Sequence, residues 1–290
     1  MSSHVIIALS LCAPLLVVAA LAFQLRGRKA KMQRLFTRIE QEWSHLGETE
    51  PHWSVLTVDR FKAENIAAHE EEFFASGKWD VDDLASTARR NGINVPNSGI
   101  CFELGCGMAR STIWLAEEFS RVIAADISPA YLGLARQTAS RYGRTNIDFL
   151  HVNSPRALAK VPEFDVFFSI IVLQHNPPPL ISYLLRHVLR RLRQNGIAYF
   201  QLPTFAPGYS FSLDEYLAQG PHGGMEMHVL LQRQLLRVIE DEGGELIEIR
   251  ADGASGPDFV SKRVLVQKKR TRTLRIRLGS GTTRRIVCRE

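Results

Sequence analysis

The chain has only four cysteines in 290 residues, Cys12, Cys101, Cys106 and Cys288, and they form neither a CxxC pair nor a zinc-ligand spacing. That excludes a disulfide framework and a clustered metal site, and it suits a reduced compartment. No lysine or arginine precedes Arg26, and no acidic residue falls within 26–34 or, Glu290 apart, within 262–290. The net charge of +6 therefore averages unequal parts. Five Lys/Arg lie in 26–34 and eleven in 262–290, which leaves 20 basic against 29 acidic residues in 35–261, a balance near −9. A body of that sign does not grip a nucleic-acid backbone with its own surface. There is no internal repeat, and a hydrophobic content of 45% is ordinary for a globular core.

One long apolar run is present. Val5 to Phe23 is interrupted only by Ser10, Cys12 and Pro14. As a helix it reaches roughly 28 Å, about the thickness of a bilayer's hydrocarbon core. Five basic residues follow at once, so the positive-inside bias puts the N-terminus outside and everything after Arg26 in the cytoplasm. A cleaved signal peptide fits less well, because no positive charge precedes the run and the run is long. A buried core helix would usually keep a polar face. The expectation is a single-pass transmembrane anchor over 1–25 and a membrane-bound protein with its main domain on the cytoplasmic side.

Residues 26–97 read as a basic juxtamembrane segment followed by a helical, lid-like region, with "PHWSVLTVDRF" adding aromatics at 51–61. After Pro96 short β-like runs alternate with amphipathic helices. Strands are expected at Gly99–Leu104, Val122–Asp126, Ile147–Val152, Phe164–Leu173 and Ile197–Leu202, then near 245–250 and 259–267. Helices are expected at Ser111–Phe119, after the Ser128–Pro129 cap, through "PPPLISYLLRHVLRRLRQNG" with Gly196 as its C-cap, and over 229–242. Such alternation implies an α/β fold, a mostly parallel sheet with helices on both faces and ligands at the carboxyl ends of the strands. From Lys268 the pattern decays into a basic tail.

The stretch "CFELGCGMARSTIWL" (101–115) holds the informative spacing. Gly105 and Gly107 directly after an apolar strand allow a sharp turn and a close ligand approach. Asp126 ends the next strand, 21 residues after Gly105, where a carboxylate reaches both hydroxyls of a ribose. A dinucleotide site wants a third glycine where Arg110 stands, and Glu103 would repel a pyrophosphate at the helix start. The same carboxylate suits a cofactor carrying a sulfonium and an amino group. The charge pattern favours S-adenosyl-L-methionine (SAM).

With these residues in place, "FELGCGMARSTIWLAEEFSRVIAADISPAYLGLARQ" resembles the first motif and its successor in class I SAM-dependent methyltransferases. "FDVFFSIIVLQHNPPP" and "LRRLRQNGIAYFQLP" resemble the fourth and fifth strands of that family, and the likeness covers residues 98–268. It implies a Rossmann-like, seven-stranded, mostly parallel sheet with one antiparallel edge strand. It implies that Glu103, Gly105, Cys106 and Gly107 line the methionine end and that Asp126 binds the ribose. Ile127 would pack on the adenine, Asn153 or Ser154 would meet the adenine edge, and Ser169 to Gln174 would lie beneath the sulfonium. The family's third glycine is Ala109 here.

Methyl transfer asks mainly for alignment and exclusion of water, with a general base when the nucleophile is an oxygen. His175, just past strand four, is the best-placed candidate base, and His228 is a second; each could equally be a packing histidine. "NPPPL" begins after the Gln-His pair and lacks the aromatic of an NPPY tetrad, which disfavours amino methylation of nucleic-acid bases. The insert "FAPGYSFSLDEY" (205–216) could be an acceptor lid or ordinary packing. The basic tail over 269–290 is read as a membrane-surface contact, each Lys/Arg adding roughly 1 kcal/mol near an anionic leaflet. The leading expectation is a membrane-anchored SAM-dependent methyltransferase acting on a small-molecule, lipid-linked, sugar or cell-envelope acceptor. An RNA methyltransferase using the tail and a catalytically idle interaction module stay open beside it. Nothing in the sequence points to a bound metal or sets the oligomeric state.

Overall fold

A computed structural model describes the backbone of residues 3–221, 224–269, 271–277 and 283–289, and side chains over 22–221 and 224–269. Its elements run α1 (Ser3–Thr49), α2 (Glu70–Arg90), β1 (Ile100–Leu104), α3 (Thr112–Glu118), β2 (Arg121–Asp126) and α4 (Pro129–Arg141). Then follow β3 (Ile147–His151), α5 (Pro155–Leu158), β4 (Phe164–Ser169), α6 (Pro178–Arg191), β5 (Leu192–Phe205) and α7 (Leu213–Gln219). The chain closes with α8 (Gln232–Asp241), β6 (Gly244–Ala251), β7 (Val260–Lys268), β8 (Thr271–Arg277) and β9 (Thr283–Arg289).

Seven strands form one sheet in the order β3-β2-β1-β4-β5-β7-β6. The expected antiparallel strand at this edge is β7, slotted between β5 and the outermost β6 and antiparallel to both. Successive side chains of a strand point to opposite faces, so each strand feeds two cores. Phe102, Phe167 and Phe200 face α6 and α8, while Cys101, Val166, Phe168 and Tyr199 face the layer of α2, α3 and α4. The chain order reverses between β1 and β4, so the loops after these two strands diverge and leave a crevice at their carboxyl ends.

Three local expectations need correction. The fourth strand stops at Ser169, well before Leu173, because Ile171 takes φ +60° and Leu173–His175 wind into a 3₁₀ turn. Gly196 does not cap α6. That helix ends at Arg191, Asn195 carries the positive φ of 64°, and Gly196 lies within β5. A Cβ on Gly196 would sit 2.7 Å from the Asp165 carbonyl oxygen, so close backbone approach explains this glycine. The tail is not featureless: β8 and β9 pair antiparallel, Leu274 opposite Ile286, though its side chains lie outside the described residues.

Helix α1 was not foreseen as one element. It is unbroken over 47 residues, so the apolar run, the basic collar and part of the lid region share a single rod. Residues 22–30 are exposed, and from Leu35 onward the helix enters the core with Leu35, Phe36 and Ile39 buried. Two of the five collar residues are engaged internally. Lys31 Nζ reaches Asp214 Oδ1 at 2.6 Å, and Arg34 donates to the Leu217 carbonyl at 3.0 Å. Arg38 donates to the Tyr216 carbonyl, so Arg34 and Arg38 satisfy carbonyls near the end of α7 that the helix itself leaves open. On its other side Glu40 accepts from Asn153 Nδ2 at 3.0 Å. The helix is thus strapped across the carboxyl ends of the strands. Among the described residues no helix is long and apolar enough to cross a membrane; of the anchor expected over 1–25, the side chains of 1–21 lie outside them.

Candidate active site

The crevice is built first by backbone. Gly105 (φ +75°) and Cys106 both donate from N–H to the Ala125 carbonyl, at 2.7 and 3.0 Å, which turns the chain sharply off β1. A Cβ on Gly105 would lie 2.3 Å from Val172 Cγ2, so only glycine lets the loops after β1 and β4 meet. Gly107 (φ +52°) has more room and donates N–H to Asp126 Oδ2 at 2.8 Å. Asp126 Oδ1 accepts from Ser128 N–H at 2.9 Å, and Ser128 caps α4 through the Tyr131 N–H. The motif loop and the end of β2 are therefore one hydrogen-bonded unit centred on Asp126. Ala109, at the third glycine position, takes φ +73° and is fully buried. The left-handed conformation costs about 1–2 kcal/mol, largely offset by burying the methyl group at roughly 0.8 kcal/mol and by its packing.

Around this unit lies a cavity with about 930 Å³ of empty space, open solvent at its mouth included. Glu103, Gly105, Cys106, Gly107, Asp126 and Ile127 all line it. Ser169, Gln174, Asn153 and Ser154 do not; they stand behind its wall. Ser169 Oγ donates to the Leu104 carbonyl at 3.0 Å and ties β4 to β1. Gln174 Oε1 accepts from Gln201 and Ser255 at 2.9 and 2.8 Å. Asn153 holds α1, and Ser154 caps α5. From those two loops the cavity instead receives Val152 and Ile170–Val172. Ile171, a β-branched residue at φ +60°, is strained there and is held by its N–H to Gln201 Oε1 at 3.0 Å.

Sequence reasoning missed Phe36, Ile39 and Trp43, three cavity residues from α1. Their spacing at i, i+3 and i+7 is helical, and it continues past the basic collar, so the signal was present. It also missed Arg110. This guanidinium is buried, lines the cavity, and donates to Asp80 Oδ2 at 2.5 Å and Ser76 Oγ at 3.1 Å. Helix α2 presses against it so closely that a Cβ on Gly77 would sit 2.0 Å from the Arg110 carbonyl oxygen.

Neither candidate histidine reaches the cavity wall. His175 is buried, with its ring centroid 5.0 Å from that of Trp43, which stands between it and the cavity. Its Nδ1 faces the Glu226 carbonyl at 3.0 Å and so carries the proton; its Nε2 accepts from Gln174 Nε2 at 3.0 Å. Burial lowers its pKa to about 4, against the pull of the Glu226 carbonyl, so it is neutral at physiological pH. Both nitrogens are engaged within the protein, and the ring packs against Trp43 of the cavity wall. His228 lies deeper in the insert, with Nδ1 3.1 Å from the Tyr209 hydroxyl and Nε2 3.4 Å from Glu226 Oε2. Burial lowers its pKa as well, and it packs on Phe211 and Tyr216 away from the cavity.

Glu103 is the electrostatic centre of the site. It is 3% exposed, and its Oε2 has no hydrogen-bond partner among the described residues. Burial pushes its pKa up to about 7, against the neighbouring Thr112 hydroxyl and Arg110 guanidinium. A buried carboxylate left without a partner is costly unless a cation meets it. SAM fits this arrangement. Asp126 would take its ribose, Glu103 its cationic methionine end, and the glycine turn leaves space where a side chain would intrude.

Residues 102–196 match the family model described as a methyltransferase domain, about a third of the chain. This region is similar to a methyltransferase domain. The structure is similar to that of a candidate sarcosine dimethylglycine methyltransferase from Galdieria sulphuraria, at 13% identity and a TM-score of 0.51, over 69% of this chain and 87% of that one. It is also similar to magnesium protoporphyrin IX methyltransferase from Synechocystis PCC 6803 with bound SAM, at 20% identity and a TM-score of 0.47, covering 67% and 80% of the two chains. The same enzyme with bound S-adenosylhomocysteine (SAH) gives 22% identity and a TM-score of 0.48, over 67% and 84%. No curated protein matches the chain.

The candidate cofactor site carries a pH signature. Because the folded pKa of Glu103 is raised, the cofactor-free fold loses stability as pH rises from the ordinary 4.5 to about 7 and no further above it. The ligand needs the ionised form, so SAM affinity should rise with pH to a plateau above about 7 and fall roughly tenfold per unit below it. In Glu103→Gln the affinity should be low and flat. Calorimetric titrations at several pH values in wild type and variant check both.

Proposed function

We propose that the chain is a membrane-anchored SAM-dependent methyltransferase that works at the cytoplasmic face on a small-molecule or lipid-linked acceptor. The observation carrying this reading is the continuity of α1. The helix that begins with the apolar run ends as the cavity wall, through Phe36, Ile39 and Trp43. Phe36 follows Phe23 by thirteen positions, about 20 Å of helix. An anchored chain would hold its site that far from the bilayer, with Arg26, Arg28 and Lys29 exposed on the intervening turns.

When bound, SAM supplies a methyl group on a cationic sulfonium. The protein's part is to hold that methyl against a nucleophile in a site closed to water, and Phe36, Ile39, Trp43, Ile170 and Leu184 supply apolar walls for that purpose. With both His175 nitrogens engaged, the acceptor is one whose lone pair is available without a base from that residue.

Membrane attachment is tested on the full chain by alkaline carbonate extraction, beside a variant carrying Leu16→Arg and Val17→Arg. Each arginine at the centre of a span costs about 2.5–3.5 kcal/mol of insertion. Wild type should stay in the membrane pellet and the variant should move to the supernatant. Release of the wild-type chain would contradict the anchor.

A further inference from the structure

The loop after β4 brings one buried amide to the cofactor cavity. Asn176 lines that cavity and is only 7% exposed. Its conformation is fixed by its neighbours. Pro177 follows it and disfavours helical backbone at 176, and Asn176 takes φ −111° and ψ 137°. Its N–H donates to the Leu173 carbonyl at 3.1 Å, and its Nδ2 donates to the Val172 carbonyl at 2.9 Å. The second bond orients the amide and leaves Oδ1 without a protein partner among the described residues. A buried amide oxygen in that state calls for a donor.

The amide stands beside the cofactor turn. A Cβ on Gly105 would lie 2.3 Å from Val172 Cγ2, and the carbonyl of that same Val172 holds Asn176. The other side chains that α1 and α6 bring to the cavity are Phe36, Ile39, Trp43 and Leu184, which carry neither oxygen nor charge. The charged groups of the lining belong to the cofactor side. Glu103 and Asp126 are acidic, and Arg110 is bound by Asp80 and Ser76.

We propose that Asn176 is the specificity-determining residue for the methyl acceptor, its Oδ1 receiving an N–H or O–H from an uncharged, otherwise apolar molecule. The body of that molecule packs on Phe36, Ile39, Trp43 and Leu184, and its hydrogen-bond donor fixes its register against the cofactor turn. An analogue without the donor would leave Oδ1 buried and unpaired, which is the basis of discrimination. A phosphate or carboxylate would lose its hydration against this wall and find no free cation. The assignment rests on the methyl-transfer reading of the same cavity.

The test uses the full chain in detergent micelles with saturating SAH, whose binding is first measured by calorimetry. Three photoprobes share a trifluoromethyl-phenyldiazirine body and differ at the para position: hydroxymethyl, its methyl ether and a carboxylate. Free probe concentrations are matched by equilibrium dialysis, and crosslinked peptides are mapped by mass spectrometry. In the wild-type chain the alcohol should label segments 36–43 and 170–184 at least fivefold more than the ether, about 1 kcal/mol for one hydrogen bond. The carboxylate should label them at least tenfold less than the alcohol, about 1.4 kcal/mol. In Asn176→Leu the alcohol should fall to the level of the ether. A residue that only supports the loop would weaken both neutral probes together and leave their ratio unchanged, and that result overturns the proposal. Equal wild-type labelling by alcohol and ether overturns it without recourse to the variant, as does a carboxylate that labels as well as the alcohol, or labelling that SAH abolishes. SAH binding with equal labelling removes the Asn176 assignment alone, whereas a folded wild-type chain that binds no SAH removes it together with the methyl-transfer reading.

Discussion

Asp80→Ala should lower the stability of the fold by about 3–5 kcal/mol, the usual loss when one partner of a buried ion network is removed. Asp80 Oδ1 accepts from Arg263 at 2.6 Å and its Oδ2 from Arg110 at 2.5 Å, with all three side chains almost wholly buried. Burial alone would disfavour the charge on Arg263, and Asp80 more than reverses that, so its pKa is raised. Asp83 extends the network by accepting from Arg263 at 3.0 Å and from Tyr199 and Arg250. One carboxylate thus joins three elements, namely the loop after β1, α2 and β7.

Without Asp80, buried Arg110 loses its ion pair and keeps Ser76, while Arg263 keeps Asp83 at 3.0 Å and Asp252 at 3.4 Å. For a domain of this size the melting temperature should fall by roughly 10 °C or more. Combining Asp80→Ala with Arg110→Met and Arg263→Met should recover much of that loss, since apolar replacements of a buried ionic group are often neutral. Thermal melts of the single and triple variants check both statements. A single variant that melts within a degree or two of wild type would show that the network does not brace the site.

That network also marks where the sequence stopped being informative. The alternation of short apolar runs and amphipathic helices was enough for the parallel sheet, and Gly105, Gly107 and Asp126 pointed to the cofactor crevice, because turn geometry and strand ends depend on neighbours in the chain. Asp80, Arg110 and Arg263 are separated by 30 to 183 positions, and no local pattern pairs them. For His175 the position after β4 was legible, but the partners of its two nitrogens, the Glu226 carbonyl and Gln174, were not. The end of β4 was misplaced because an isoleucine at positive φ contradicts local preference and is held only by a distant glutamine. The long reach of α1 was the reverse case. Its helical spacing was in view, but the basic collar at 26–34 suggested a break in structure, and the helix runs straight through it.

The central claim is that Asp126 organises a cofactor site. Its two oxygens accept from Gly107 and Ser128, so the groups meant for the ribose are fixed before any ligand arrives. Removing the carboxylate takes away the ribose hydrogen bonds and frees the turn that shapes the cavity, a combined loss of about 3 kcal/mol, or roughly a hundredfold in affinity. The measurement is titration calorimetry of SAM and of SAH into the full chain and into Asp126→Ala, with a melt to confirm that both are folded. The account predicts binding of both ligands to the wild-type chain and a loss of about a hundredfold or more in the variant. A folded wild-type chain that binds neither ligand, or an Asp126→Ala variant that binds them as tightly, would contradict it.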